Sequence, residues 1–168
     1  AAHPKVIKSY AKHYETGEVI PDELIKKIEN SSYFNQGFAN VEYLAASFLD
    51  MAYHTLSEPR DLQIMKFEEN YLDELGLIPE IEPRYHSTYF SHITGGYAAG
   101  YYSYLWSAVL DNDAFEAFEK NGIYDQETAA KFRELLAKSG TQDAMELYVD
   151  FRGRKPEIDA LLRNRGLN

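Results

Sequence analysis

An all-α, multi-helix fold follows from three features of this 168-residue sequence. Apolar residues recur at three- and four-residue spacing along nearly the whole chain, proline, aspartate and glycine punctuate those stretches, and no repeat, low-complexity tract or clear linker interrupts them. The chain therefore reads as one helical domain over residues 1–168, a length that suffices to bury a real core.

The elements follow in order. Val6, Ile7, Tyr10 and Tyr14 predict a first helix opening near Pro4, with Gly17 as its C-cap. Pro21-Asp22-Glu23 puts proline and acidic residues into the first turn of a short second helix through Leu24, Ile25 and Ile28. Phe38, Val41, Leu44, Ala45, Phe48 and Ala52 form the broad buried stripe expected of a long helix between about Tyr33 and Leu56. Asp61 is a candidate cap for a fourth helix carrying Leu62, Met65, Tyr71, Leu72 and Leu75 and closed at Gly76. Pro79 and Pro83 make residues 77–86 an extended connection. An aromatic segment then leads to a glycine pair, Gly95-Gly96, and the pattern turns helical from Tyr97 through Leu110, resuming over Ala114 to Lys120. Asp125 starts a helix ended by Ser139-Gly140, another covers Gln142–Phe151, and a last one follows Pro156.

Composition narrows the function classes. Hydrophobic residues make up 45% and charged residues 26%, as in ordinary globular proteins, and no apolar run is long enough for a membrane span. A net charge of −10 repels phosphates and argues against a nucleic-acid partner. The absence of cysteine removes disulfides and thiolate ligands. That fits a cytoplasmic chain and is compatible with a periplasmic one. The start, Ala1-Ala2-His3-Pro4-Lys5, carries neither an initiator methionine nor a secretory signal, as expected of a piece of a longer chain and equally of a processed protein.

None of the five histidines forms the H-E-x-x-H arrangement in which two imidazoles one helical turn apart bind zinc. His54 has Glu58 four residues on, but Pro59 follows at once and no third ligand is near, so no metal site is expected within this chain. A second constellation is richer. On a helix running from Tyr97, the side chains of Tyr97, Tyr101, Tyr104 and Ala108 share one face, while Tyr102, Leu105, Trp106 and Val109 fall on faces that pack inward. Phenols in a row beside His92 and the flexible Gly95-Gly96 turn make a wall suited to a peptide, whose carbonyls accept hydrogen bonds. The same stripe is equally what half-buried packing looks like, and such packing is the commoner origin of aromatic stripes. Arg152 and Arg154 admit two readings: ligands for a peptide carboxylate, or partners in structural salt bridges. The acidic run from Glu68 to Glu74 reads as an exposed helical face.

The run Phe90-Ser91-His92-Ile93-Thr94-Gly95-Gly96-Tyr97-Ala98-Ala99-Gly100-Tyr101-Tyr102-Ser103-Tyr104-Leu105-Trp106 resembles the substrate-binding segment of the thimet oligopeptidase family of zinc metallopeptidases. His3-Pro4-Lys5-Val6, His13-Tyr14-Glu15-Thr16-Gly17, Phe34-Asn35-Gln36-Gly37-Phe38, Phe151-Arg152-Gly153-Arg154-Lys155-Pro156 and Arg165-Gly166-Leu167 agree in the family's order. The resemblance covers essentially the whole chain, and the 34–37 stretch and basic tail look more like bacterial peptidyl-dipeptidases than like oligopeptidase A.

The resemblance implies a C-terminal fragment of a peptidase acting on short peptides and releasing C-terminal dipeptides. Zinc, its H-E-x-x-H helix and the further glutamate ligand would all lie in the missing N-terminal part of the same enzyme. This fragment would bind no zinc and be inactive alone. By the match, His92 hydrogen-bonds near the scissile group, Tyr104 donates its phenol to the developing oxyanion, and Tyr97 holds substrate backbone. Tyr101, Gly95 and Gly96 line the same cleft. This chain carries the shorter of the family's two spacings between the histidine and the glycine pair. The competing expectation is a free-standing, non-catalytic helical module that binds peptides or a protein. An in-frame H-E-x-x-H upstream of Ala1 separates the two.

Overall fold

The computed structural model describes residues 3–58 and 61–167. Ala1, Ala2, Pro59, Arg60 and Asn168 lie outside the described residues, and with them the Pro59 that the sequence sets after Glu58. Eight α-helices account for the regular structure among the described residues, with one isolated antiparallel bridge between Lys12 and Val19. The all-α expectation holds. The helices are α1 Pro4–Tyr10, α2 Asp22–Ser31, α3 Gln36–His54, α4 Ile64–Glu74, α5 Ser103–Asn121, α6 Gln126–Ala137, α7 Ala144–Arg152 and α8 Asp159–Asn164. Their packing groups the chain into two compact units, residues 1–34 with 107–168 and residues 35–106.

In the first unit, α1 opens as proline at a first helical position should, with His3 Nδ1 accepting from the Lys5 amide. It stops at Tyr10, short of the expected Gly17. Ala11 turns extended, and Gly17 (φ 71°) instead sits in a reversal in which the Gly17 amide donates to the His13 carbonyl and the His13 amide to Glu18. Tyr14, counted into the helical pattern, is exposed on that turn. Ile7, Ile25, Val109, Ala114, Ala117, Leu147, Tyr148, Ala160 and Leu161 form the buried positions of this unit. The caps follow the sequence closely. Asp125 accepts from the Thr128 amide at 2.7 Å to start α6, and Asp143 accepts from Met145 and Glu146 to start α7, which Gly153 ends at φ 76°.

Beneath α5 and α7 lies a charged network. Asp113, fully buried, receives the Tyr148 hydroxyl, Arg152 Nε at 3.0 Å and Arg154 Nη2 at 2.6 Å. Glu116 binds Arg152, Arg154 and Arg163. Burial pushes the Asp113 carboxyl up, but the donors from Arg152, Tyr148 and Arg154 outweigh it and bring it down to about 2. The two arginines are thus the structural pairs of the two readings, not free carboxylate ligands.

The second unit comprises α3, α4, a 3-10 turn at Ser91–Thr94 and the start of α5. The buried face of α3 is Ala45, Ala46, Leu49 and Ala52, with Ser47 and Asp50 among them. Phe38, Val41 and Phe48, expected on the buried stripe, are exposed. The small residues sit where the following aromatic segment crosses, so the core here is alanine against aromatic rings: Ala46, Phe90 and Tyr101, with Tyr43, Tyr85 and Ile93 packed around them. Helix α4 begins at Ile64 rather than at an Asp61 cap, and closes as expected, with Gly76 at φ 74° and the Leu77 amide reaching back to Leu72.

Candidate functional site

The candidate site lies wholly within residues 35–106. It is assembled by turns rather than by one helix. The expected helix from Tyr97 does not form: residues 95–102 are successive turns, closed by Ala98 to Gly95, Gly100 to Tyr97 and Ser103 to Gly100 hydrogen bonds, and α5 starts at Ser103. Tyr97 and Tyr101 therefore share a face with Tyr104 because the backbone winds them there, not through helical periodicity. Trp106 and Tyr102, expected inward, are exposed.

The turns nevertheless bring the expected side chains together. The His92 ring lies 5.0 Å from Tyr101, 5.7 Å from Tyr97 and 6.3 Å from Tyr104, with Tyr85 at 5.1 Å and Phe90 at 5.6 Å behind it. Tyr97 and Tyr104 stack with centroids 5.2 Å apart and planes 8° from parallel. They remain open, at 44% and 45% exposure, whereas Tyr101, packed against His92 and Tyr104, is only 3% exposed. Burial raises the Tyr101 phenol to about 12. The Tyr104 phenol is also raised, first by the neighbouring Tyr97 hydroxyl. Both hydroxyls stay protonated at neutral pH and can donate.

His92 Nδ1 stands out. It is buried and has no hydrogen-bond partner among the described residues. A buried polar atom left so is uncommon and marks a place where a ligand or water is needed.

The glycine pair behaves differently from expectation. Gly95 is extended (φ −130°), and neither it nor Gly96 has a positive φ. The left-handed residue of the segment is Ala99, at φ 55°. A Cβ on Gly96 would meet nothing within 4 Å in this chain, and one on Gly95 would make only ordinary contact, 3.6 Å from the Ser91 carbonyl oxygen.

Several supporting residues escaped the sequence reading. Asp50 accepts from the amides of Ala99 and Tyr101, both at 3.0 Å. The Tyr43 hydroxyl donates to the Tyr101 carbonyl at 2.7 Å and accepts from the Leu105 amide at 3.2 Å, capping α5. His54 pairs with Asp50, not with Glu58. Glu68, assigned to an exposed face, is buried and receives the Ser87 amide at 2.7 Å, the Ser87 hydroxyl and His86 Nδ1. Tyr53 shares a 2.6 Å hydrogen bond with the same Ser87 hydroxyl. Burial raises the Glu68 carboxyl, and the Ser87 and His86 hydrogen bonds more than reverse it, leaving it lowered. This cluster anchors the strip next to Tyr85, whose ring stacks on Phe90 at 5.0 Å. A carboxylate inside an apolar helix with histidine four residues on was the available signal for Asp50; nothing local marked Tyr43.

Among the described residues no group of three or more His, Cys, Asp or Glu side chains could hold a metal ion. The side chains around His92 are phenols and aromatic rings, which can donate hydrogen bonds and pack but do not make a zinc ligand set. No helix among the described residues is long and apolar enough to cross a membrane.

Comparison with known proteins decides the family. The family model described as Peptidase family M3 matches residues 1–167. The chain belongs to this family. It is 43% identical over its full length to the dipeptidyl carboxypeptidase of Escherichia coli (strain K12), and 39% identical over 98% of its length to the chloroplast and mitochondrial organellar oligopeptidase A of Arabidopsis thaliana. The oligopeptidase A of Escherichia coli (strain K12) is 35% identical over 98% of the chain. The chain spans only about a quarter of the length of these curated relatives, 25%, 22% and 25% respectively. Within this M3 segment, the run from Phe90 to Trp106 is the stretch whose rings converge on His92.

Proposed function

We propose that this M3 chain is part of a cytoplasmic metallopeptidase that hydrolyses short peptides and releases C-terminal dipeptides. The segment supplies substrate-binding and oxyanion-stabilising side chains. Higher identity to two proteins named dipeptidyl carboxypeptidase, 43% and 40%, than to those named oligopeptidase A, 35–39%, supports the dipeptide reading. The zinc that the family implies, and the group that activates water, would come from polypeptide beyond this chain. The isolated segment would then be inactive.

The observation that carries the reading is the open Tyr97–Tyr104 pair, two exposed phenols stacked beside the His92 ring. Tyr104 would donate its hydroxyl to the peptide carbonyl oxygen as negative charge gathers there. Tyr97 would hold both the Tyr104 hydroxyl and the substrate backbone, and His92 would hydrogen-bond near the scissile group. Gly95 and Gly96 would let the substrate backbone approach, and Tyr101 would form the floor of the cleft.

Removing one oxyanion donor typically slows a reaction by about 100- to 1,000-fold. Tyr104→Phe in the full-length enzyme should lower kcat by that order while KM changes little, because the interaction forms only in the transition state. Retention of full kcat by this variant refutes the role given to Tyr104.

A further inference from the structure

We propose that Asp50 is a positioning residue for the peptidase site: a buried clamp that fixes Tyr97 and Tyr104 in their stacked, donor-ready arrangement. The proposal rests on the role given to Tyr104 above. Asp50 is 0% exposed, in the middle of the alanine face of α3. A carboxylate in such a place persists only when its oxygens are satisfied, and here each oxygen takes one amide of the same turn. Oδ1 accepts from Ala99 and Oδ2 from Tyr101. His54 Nδ1 adds a third contact to Oδ1 at 2.9 Å, while also bonding the Asp50 carbonyl at 2.8 Å.

That turn is not one the chain would hold unaided. Ala99 has φ 55°, a left-handed conformation that crowds its Cβ against the following carbonyl oxygen. The two amides it exposes point at one fully buried carboxylate. On the same helix, about two turns earlier, Tyr43 fixes the other end by bridging the Tyr101 carbonyl and the Leu105 amide. The path from Tyr97 to Tyr104 is thus pinned from α3 at Ala99, Tyr101 and Leu105. Asp50 touches no open surface and meets no substrate; its effect passes through the backbone to two phenols. An asparagine there offers one acceptor and turns an NH2 donor toward an amide N–H, so it cannot reproduce the clamp.

The test is a double-mutant cycle in the full-length enzyme with Asp50→Asn and Tyr104→Phe, reading kcat, KM and the melting transition. Misplacement of a reacting group by about 1 Å can cost on the order of 100-fold. Asp50→Asn should lower kcat about 10- to 100-fold, on that same reasoning, with KM moving far less. In the Tyr104→Phe background the same substitution should change kcat by no more than about twofold, since of the two phenols it fixes the one that acts on kcat is already gone, and what remains through Tyr97 falls on KM. Multiplying losses, or an Asp50→Asn enzyme with wild-type kcat, overturns the positioning role alone. Full activity in Tyr104→Phe by itself overturns the oxyanion reading and the positioning role together. Should Asp50→Asn not fold, His54→Gln removes one contact to Oδ1 from a half-buried site. It should lower kcat severalfold, and again not in the Tyr104→Phe background; an unchanged kcat in His54→Gln overturns the proposal.

Discussion

The rings of Tyr97 and Tyr104, seven residues apart and on different kinds of backbone, lie parallel to within 8° at 5.2 Å. One belongs to a turn and the other to the first turn of α5. The Tyr97 hydroxyl is the first of the influences that raise the neighbouring Tyr104 phenol above its ordinary value of 10.0. A raised phenol keeps its proton at neutral and mildly alkaline pH, which a hydrogen-bond donor to an oxyanion requires.

Tyr97→Phe keeps the stack and deletes the neighbouring hydroxyl. Tyr104 should then titrate at lower pH than in the wild type, visible in the pH dependence of its ring carbon resonance in tyrosine-labelled protein. In the full-length enzyme the alkaline limb of kcat should move the same way, downward. A Tyr104 titration indifferent to Tyr97→Phe would show that burial, not the neighbouring hydroxyl, sets its proton affinity.

Much of this arrangement was legible in the sequence because it depends on local chemistry. Asp125 and Asp143 start helices, Gly76 and Gly153 end them, and prolines keep residues 77–86 out of any helix, although a turn closed by the Ile81 amide on the Ile78 carbonyl interrupts the extended course expected there. The grouping of His92, Tyr97 and Tyr104 was also anticipated, through the family resemblance and by way of a helix that does not exist there. What failed was inference from periodicity where tertiary contacts override it. A spacing of three and four placed Tyr97 on a helix, yet the long-range carboxylate of Asp50 captures two amides and leaves Ala99 left-handed. The same blindness hid Glu68, whose acidic neighbours suggested a solvated face although His86 and Ser87 reach it from 18 and 19 residues away. The α3 stripe misled for a different reason. Phe38, Val41 and Phe48 are exposed while Ala45 and Ala52 are buried, because aromatic rings from the 85–101 segment fill the space beside the small residues of α3.

Asp113 makes stability depend on acid. In an unfolded chain its carboxyl titrates near 3.9, and in the fold at about 2. A depressed carboxyl contributes stability that is fully present above the unfolded value and is lost as pH falls through the folded one. The window is therefore from about pH 5 down to about pH 2, and the loss is about 2 kcal/mol from this group. Asp113→Asn should flatten that window in urea titrations at a series of pH values. At neutral pH it should cost about 3 kcal/mol, since it strands Arg152 and Arg154 beside a neutral amide. An unaltered acid limb in this variant would assign the pH dependence to other carboxylates.

His92 gives a prediction in which stability and activity part company. Its ring is held by Tyr85, Phe90, Tyr97 and Tyr101 as an aromatic ring would be, and its buried Nδ1 bonds to nothing among the described residues. A buried polar atom without a partner costs about 1–3 kcal/mol, so replacing the imidazole by phenylalanine removes that cost while keeping ring contacts. The phenylalanine is somewhat larger, which limits the gain. His92→Phe should therefore melt within a few degrees of the wild type, whereas His92→Ala, which empties the cage, should melt well below it. Both should reduce peptide hydrolysis by the full-length enzyme by about 100-fold or more, a loss in the range seen for positioned acid–base or hydrogen-bonding groups. Equal destabilisation by the two variants would mean that the imidazole is bonded within the fold after all.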